Sequence, residues 1–190
     1  MAGLQTLCVV FAAALVGACQ PGSTVPVGDL VPTGPTQAAQ VVRVTDGDTI
    51  EVTIDGRRVA VRYIGIDAPE RSGPFTDPEW LADEAKQANH FLVDGATVHL
   101  ERDVSDADRF GRLLRYVWLQ DGDVWLMVNR ELVRLGLAEA RTYPPDTRWQ
   151  TELDEAEDQA RADRTGIWGP DSRAPEGLLE IEPARALVGG

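Results

Sequence analysis

The chain has 190 residues, with 18 Lys and Arg against 31 Asp and Glu, which gives a formal net charge of −13 at pH 7. A composition of 43% hydrophobic and 26% charged residues is that of a globular domain, so it excludes a wholly disordered chain and a bundle of membrane helices. The only cysteines, Cys8 and Cys19, lie near the start, which excludes a disulfide-stabilised fold further along the chain. The acidic balance also argues against tight, nonspecific binding of nucleic acid.

The amino-terminal segment predicts export. Residues 7–16 form an apolar run that is too short to cross a bilayer of roughly 30 Å and has the length of a signal-peptide core. Val16-Gly17-Ala18-Cys19 follows and resembles a bacterial lipobox, although no Lys or Arg precedes the run. We therefore expect residues 1–19 to be a signal peptide with a lipobox, giving either a cell-envelope lipoprotein or, after ordinary cleavage, a secreted protein. The alternative is a cytosolic protein with a wrongly chosen start codon or a disordered apolar tail.

The next segment predicts a linker. Residues 20–39 hold four prolines, three glycines and a single charged residue, with no periodic apolar pattern. The folded domain is then expected over residues 40–169. After Trp168 the apolar pattern fades, so residues 170–190 are predicted to be a poorly ordered tail. Contact with a membrane is expected only through the amino-terminal lipid.

Within the domain, apolar periodicity predicts five barrel strands and three helices. Asp46-Gly47 and Asp55-Gly56 are turn signals that join the first three strands into a meander. In chain order the predicted segments are strands 40–46, 49–54 and 57–66, helix 79–93, strands 97–102 and 113–119, a short extended segment 124–126, and helices 128–135 and 147–166. This order predicts an α+β fold, a five-stranded Greek-key β-barrel of the oligonucleotide/oligosaccharide-binding (OB) type.

Charged residues concentrate at residues 46–49, 62–70 and 108–112, and each stretch alone has an ordinary structural explanation. Asp-Gly is a common hairpin turn, and an Arg on an alternating strand can simply face solvent. Taken together, the stretches supply complementary chemistry. Asp48 and Asp67 offer the hard oxygen ligands that Ca²⁺ prefers, with backbone carbonyls and waters completing a half-open coordination shell.

The remaining charges suit catalysis on a phosphate. Arg62 and Arg112 are fork-shaped, permanently charged donors that match a phosphate and the extra negative charge of its transition state. Glu70 is the carboxylate left over, and it is able to polarise a water toward phosphorus. We therefore interpret Arg62, Glu70 and Arg112 as the candidate catalytic residues.

Four motifs resemble those of the staphylococcal nuclease (thermonuclease) family, over residues 41–168. They are D-G-D-T at residues 46–49, R-x-x-x-x-D-x-P-E at residues 62–70, D-R-F-G-R at residues 108–112, and V-N-R-E-L-V-R-L-G-L-A at residues 128–138. The resemblance implies a Ca²⁺-dependent phosphodiesterase that cuts single-stranded or denatured DNA and RNA. Water would attack phosphorus and the 5′-oxygen would leave, which gives 3′-phosphate products. The protein is expected to act as a monomer.

The same resemblance implies roles for individual residues. Asp48 and Asp67 would be metal ligands together with the backbone carbonyl of Ala68, which replaces a threonine of the best-known member. Asp46 would lie in the outer coordination shell. Tyr143 is a candidate platform for stacking a nucleobase. Glu70 would act as the base or orient the water, and the two arginines would hold the phosphate.

One alternation test and two alternative functions remain open. Asp48 shares its side of the strand with Ile50 and Val52, which are expected in the core, so it must lie where the barrel interior opens at one end. The acidic stretch 104–108 is expected to be a flexible, solvated loop, with a contribution to metal binding as the alternative. The alternative functions are a surface-tethered OB-fold module that binds nucleic acid or protein without cutting, and a Ca²⁺-stabilised envelope module.

Overall fold

The computed structural model describes residues 30–70 and 79–170. Its elements, in chain order, are β1 (Thr36–Asp46), β2 (Thr49–Ile54), β3 (Arg57–Tyr63), β4 (Ile66–Asp67), α1 (Ala82–Val93), β5 (Thr97–Glu101), β6 (Leu113–Asp121), β7 (Val124–Met127), α2 (Val128–Arg134), β8 (Glu139–Ala140), α3 (Gln150–Asp163) and a 3₁₀ turn (Gly166–Trp168). No helix in these ranges is long and apolar enough to span a membrane. The predicted signal peptide and carboxyl-terminal tail lie outside the described residues.

Five strands close into a barrel. β1 pairs antiparallel with β2 and β5, β2 with β3, and β5 with β6. A parallel pairing of β3 with β6, which sets Arg62 opposite Leu114, closes the ring. β7 extends the sheet beyond β6, and β4 and β8 form a separate two-stranded ribbon. The predicted α+β OB barrel with three helices is therefore confirmed.

The period of two along each strand decides which side chains fill the barrel. In β2, Ile50 and Val52 are fully buried, whereas Glu51 between them is half-buried. Each buried branched side chain stabilises the fold by roughly 1.5–3 kcal/mol. Helix α1 packs against β1 and buries Ala85 and Ala88, whose small side chains allow the helix to approach the barrel closely.

Several boundaries differ from the prediction, and three of them have a direct structural reason. Strand β1 begins at Thr36 because residues 36–40 pair with β5, so the last four residues of the predicted linker belong to the strand. The predicted third strand is divided at Gly65, whose φ of +77° turns the chain between β3 and β4. Helix α3 begins at Gln150 and not at Thr147, whose carbonyl instead accepts a hydrogen bond from the Gln150 N–H at 3.2 Å.

A buried carboxylate fastens the segment before β1 to the barrel. Glu101 is 0% exposed and accepts hydrogen bonds from the indole N–H groups of Trp118 (3.0 Å) and Trp149 (2.9 Å). It also accepts from the backbone N–H of Gly34 at 2.7 Å and from Arg148 Nη1 at 3.1 Å. Because these donors satisfy the buried charge, Glu101 joins the start of the domain, β5 and the approach to α3.

Candidate active site

The turn between β1 and β2 carries two of the predicted site carboxylates. Asp48 is only 2% exposed, and its Oδ2 accepts a hydrogen bond from the Ala68 N–H at 2.9 Å. The Asp48 N–H in turn donates to Asp46 Oδ1 at 3.2 Å. A side chain at Gly47 would place its Cβ 2.6 Å from the Ala68 Cβ and 2.9 Å from the Ala85 Cβ, so only glycine fits between them. The turn is therefore wedged between α1 and the chain that follows β4.

Asp48 lies on the same side of the chain as the core-facing residues of β2, and its position explains how a carboxylate fits there. The regular strand begins one residue later, at Thr49, so Asp48 belongs to the turn at the end of the barrel. Its side chain is covered by Ala68 and Arg62. The second carboxylate oxygen of Asp48 accepts from the Thr49 hydroxyl at 3.1 Å.

Arg62, near the end of β3, brings the two predicted metal ligands together. Its Nη1 contacts the Asp48 carboxylate, and its Nη2 donates to Asp67 Oδ1 at 2.8 Å and to the Ile66 carbonyl at 3.4 Å. The Arg62 side chain is 13% exposed. One guanidinium therefore contacts both carboxylates, although they come from segments nearly twenty residues apart in the chain.

The donor set around Arg62 fits a hard divalent cation. Asp48 and Asp67 point oxygens at the same positive group, and carboxylate oxygens are the ligands that Ca²⁺ prefers. Within residues 30–70 and 79–170, no three His, Cys, Asp or Glu side chains form a closed metal cluster. An ion held by these two carboxylates would take its other ligands from backbone carbonyls such as that of Ala68, from water and from the substrate.

The barrel closure brings the second arginine to the same place. The parallel pairing of β3 with β6 sets Leu114 beside Arg62, and Arg112 immediately precedes β6. Arg62 and Arg112 line one cleft of about 280 Å³, which Tyr143 and Asp108 also line. The structure therefore places both predicted phosphate-binding arginines, Arg62 and Arg112, and the predicted stacking residue Tyr143 around a single cleft.

Asp108 fixes the Arg112 side chain. Its Oδ2 accepts from Arg112 Nε at 2.7 Å, and its Oδ1 accepts from the backbone N–H groups of Arg112 (3.0 Å) and Phe110 (2.9 Å). Burial acts to raise the pKa of Asp108, but these hydrogen bonds and the Arg112 charge lower it overall. No described residue accepts a hydrogen bond from the two Nη groups of Arg112, which suits them to a bidentate contact with phosphate.

Glu70 follows β4 and lies in the electrostatic field of the same site. Glu70 is exposed as a residue, but partial burial of its carboxyl raises the pKa of that group; the negative charges of Asp46, Asp67 and Glu79 add to the rise, while Arg62 opposes it. Its backbone N–H donates to Glu79 Oε2 at 2.9 Å, and the Glu79 N–H donates back to the Glu70 carbonyl at 2.9 Å. A raised pKa makes a carboxylate a better proton acceptor near neutral pH.

Asp46 shares that field. Burial raises the pKa of Asp46, while the Thr49 side chain and the positive charges of Arg62, Arg112 and Lys86 oppose the rise. Both arginines and Glu70 therefore interact with one carboxyl. The structure brings the five predicted charged residues Asp48, Arg62, Asp67, Glu70 and Arg112 to one end of the barrel.

The structure adds residues that sequence analysis did not assign. Stretch 104–108, expected to be flexible, is held in place: Asp146 Oδ1 accepts from the N–H groups of Val104 (3.0 Å) and Ser105 (2.7 Å), and Arg115 Nη1 donates to the Asp106 carbonyl at 2.9 Å. Asp108, which pairs with Arg112, was not assigned either; the sequence indicated this pairing only through the spacing of the two residues within D-R-F-G-R. Tyr143 is 48% exposed, as a stacking platform requires.

Comparison with known proteins identifies the family. A family model described as staphylococcal nuclease homologue matches residues 60–170. The thermonuclease of Staphylococcus hyicus is 38% identical over 132 residues, which cover 70% of this chain and 76% of that protein. The thermonuclease of Staphylococcus intermedius is 37% identical over 128 residues (67% and 74%). Endonuclease YncB of Bacillus subtilis (strain 168) is 36% identical over 128 residues (66% and 59%). These matches confirm the resemblance found in the motifs: the chain belongs to the staphylococcal nuclease homologue family.

Proposed function

We propose that this protein is an exported, Ca²⁺-dependent nuclease that cleaves single-stranded or denatured DNA and RNA and leaves 3′-phosphate ends. As a staphylococcal nuclease homologue it is a hydrolase that acts on the phosphodiester bonds of nucleic acids, and the family is metal-dependent. The choice of Ca²⁺ is supported by an all-oxygen donor set: the carboxylates of Asp48 and Asp67 with the carbonyl of Ala68.

The observation that carries the proposal is the position of Arg62. Its guanidinium contacts the carboxylates of Asp48 and Asp67 and lines the cleft that Arg112 shares. A phosphodiester in this cleft would lie within reach of two guanidinium groups and of the carboxylates that would hold the metal. Few arrangements other than phosphate chemistry require this combination of charges.

Each residue has a distinct part in the reaction. Arg62 and Arg112 bind the phosphate oxygens and stabilise the charge that develops as the bond to water forms. Glu70 accepts a proton from the attacking water while the water oxygen bonds to phosphorus. The bond from phosphorus to the 5′-oxygen breaks with its electron pair on that oxygen, which takes up a proton from solvent. The phosphate then stays on the 3′-oxygen. A bound Ca²⁺ would supply Lewis-acid polarisation of a phosphate oxygen.

Substrate form and location follow from other features. An exposed Tyr143 at the cleft suits an unpaired base, because stacking needs a base that is free of its own strand partner. The net charge of −13 disfavours long-range attraction of nucleic acid, which is consistent with weak binding and fast release of product. Export and lipid anchoring rest on the amino-terminal sequence, outside the described residues.

A cleavage assay tests the proposal. Full-length protein is incubated with heat-denatured DNA or with RNA in millimolar Ca²⁺, in Mg²⁺, or in excess chelator, and the new ends are labelled before and after phosphatase treatment. We expect cleavage that depends on Ca²⁺ and 3′ ends that block labelling until the phosphate is removed. Absence of chelator-sensitive cleavage would remove the Ca²⁺-dependent activity from the proposal.

Replacement of Glu70 tests the proposed base. Glu70→Gln should lower kcat by roughly 10²–10⁴-fold, because the amide does not accept the proton of the attacking water. Its melting temperature should change little, since Glu70 is exposed. Glu155→Gln, at an exposed position on α3, is the matched control and should retain full activity. Equal rates in the two variants would show that Glu70 has no catalytic role.

A further inference from the structure

We propose that Tyr63 is a positioning residue that clamps both ends of the turn from Asp46 to Asp48 and so tunes its affinity for a divalent cation. The inference deepens the proposed function and rests on it, because it assigns a new residue to the formation of the metal site. Tyr63 is not among the charged residues of the motifs. It comes directly after Arg62, on the opposite face of β3.

The backbone of Tyr63 holds one end of the turn. Its N–H donates to the Asp48 carbonyl at 2.9 Å, which continues the β2–β3 pairing of Thr49 with Arg62 by one step into the turn. This bond fixes the backbone from which the Asp48 carboxylate projects toward Arg62 and Ala68.

The side chain of Tyr63 holds the other end through a buried amide. The Tyr63 hydroxyl donates to Asn89 Oδ1 at 2.8 Å, and Asn89 Nδ2 donates to the Asp46 carbonyl at 3.0 Å. Tyr63 is 1% exposed and Asn89 is 0% exposed, so bulk water does not compete for these hydrogen bonds. Burial raises the pKa of Tyr63, so its hydroxyl stays protonated as a donor.

Helix α1 contacts the turn from Asp46 to Asp48 at two places. Asn89 belongs to α1, and Ala85 on the same helix packs against Gly47 in the turn. The relay from Tyr63 through Asn89 therefore fixes the turn relative to the helix as well as to the barrel. Groups that orient metal ligands without touching the metal typically change metal affinity by 10–100-fold when removed.

The proposed role differs from simple packing. Phenylalanine at position 63 would keep the aromatic ring in the core and remove only the hydroxyl, leaving Asn89 free to turn and the Asp46 carbonyl without its fixed donor. Tyr116 offers a matched comparison: it is 0% exposed, and its hydroxyl donates to Asp103 Oδ2 at 3.2 Å, away from the turn.

The test measures how much Ca²⁺ gives half of the maximal rise in melting temperature. We expect Tyr63→Phe to need at least 10-fold more Ca²⁺ than wild type, and Tyr116→Phe to match wild type even if both variants melt lower in chelator. The Ca²⁺ dependence of cleavage should shift equally in Tyr63→Phe, with kcat recovering at saturating Ca²⁺. Asn89→Ser, which shortens the relay, should behave like Tyr63→Phe and replaces it if that variant does not fold.

The outcomes separate the two proposals. If the wild-type protein responds to Ca²⁺ and Tyr63→Phe has the same Ca²⁺ midpoint, the role of Tyr63 is overturned and the proposed function stays intact. A variant with a lower melting temperature but the wild-type midpoint would show a purely structural hydroxyl and would likewise overturn it. Wild type without any Ca²⁺ response would overturn the calcium proposal and this inference together.

Discussion

The Asp108→Asn variant tests whether the reaction depends on the orientation that Asp108 gives to the Arg112 side chain before phosphate binds. In the wild type, Asp108 Oδ2 accepts from Arg112 Nε while Oδ1 accepts from two backbone N–H groups. Asparagine can keep the Oδ1 bonds and hence the turn of residues 108–112. Its amide nitrogen cannot accept from Nε, so the guanidinium is released while the backbone is retained.

The expected loss follows from side-chain entropy. An Arg side chain carries about 2 kcal/mol of rotamer freedom, which a released Arg112 must give up each time it binds phosphate. At about 1.4 kcal/mol per factor of ten, kcat/KM should fall roughly 30-fold. Stability should fall by no more than about 1 kcal/mol, because the Arg112 side chain is 33% exposed and partly exposed ion pairs contribute little.

Initial rates on a fluorogenic single-stranded oligonucleotide, over a range of substrate concentrations, give kcat/KM for this comparison. Asp106→Asn is the matched control, because Asp106 lies in the same loop and its Oδ1 accepts from Arg115 Nη2 at 2.8 Å, but Arg115 does not line the cleft. The control should keep wild-type kcat/KM. If Asp108→Asn also keeps it, prior fixation of Arg112 does not contribute to the reaction.

Two predictions concern stability. Glu101→Ala should lower the free energy of unfolding by about 2–6 kcal/mol, because it leaves the indole N–H groups of Trp118 and Trp149 without their buried acceptor, at about 1–3 kcal/mol each; urea unfolding measures the change, and a loss under about 1 kcal/mol would contradict it. Burial lowers the pKa of His99 from its ordinary value of 6.5, so the unfolded chain binds more protons and stability should decline as pH falls through 6.5. Melting temperatures from about pH 7 to pH 5 should decline less in His99→Gln than in wild type, and parallel curves would refute this.

Sequence patterns predicted the elements well because those patterns are local. Alternation along β2 and helical spacing in α1 report which face of each segment is buried, and Asp55-Gly56 encodes its own hairpin with both residues at positive φ. Patterns predicted boundaries less well. Strand β1 starts at Thr36 because its first residues pair with β5, and a partner that lies sixty residues away leaves no mark on local hydrophobicity.

The candidate site divides in the same way. The motifs by themselves identified which residue types carry phosphate and metal chemistry, since carboxylates and guanidinium groups have that chemistry wherever they lie. Only the tertiary structure decided that Arg62 and Arg112 line one cleft, because this depends on the parallel closure of β3 on β6. It alone also joined Tyr63 to Asn89, since a contact between distant segments is set by how strands and helices pack and not by the order of residues along the chain.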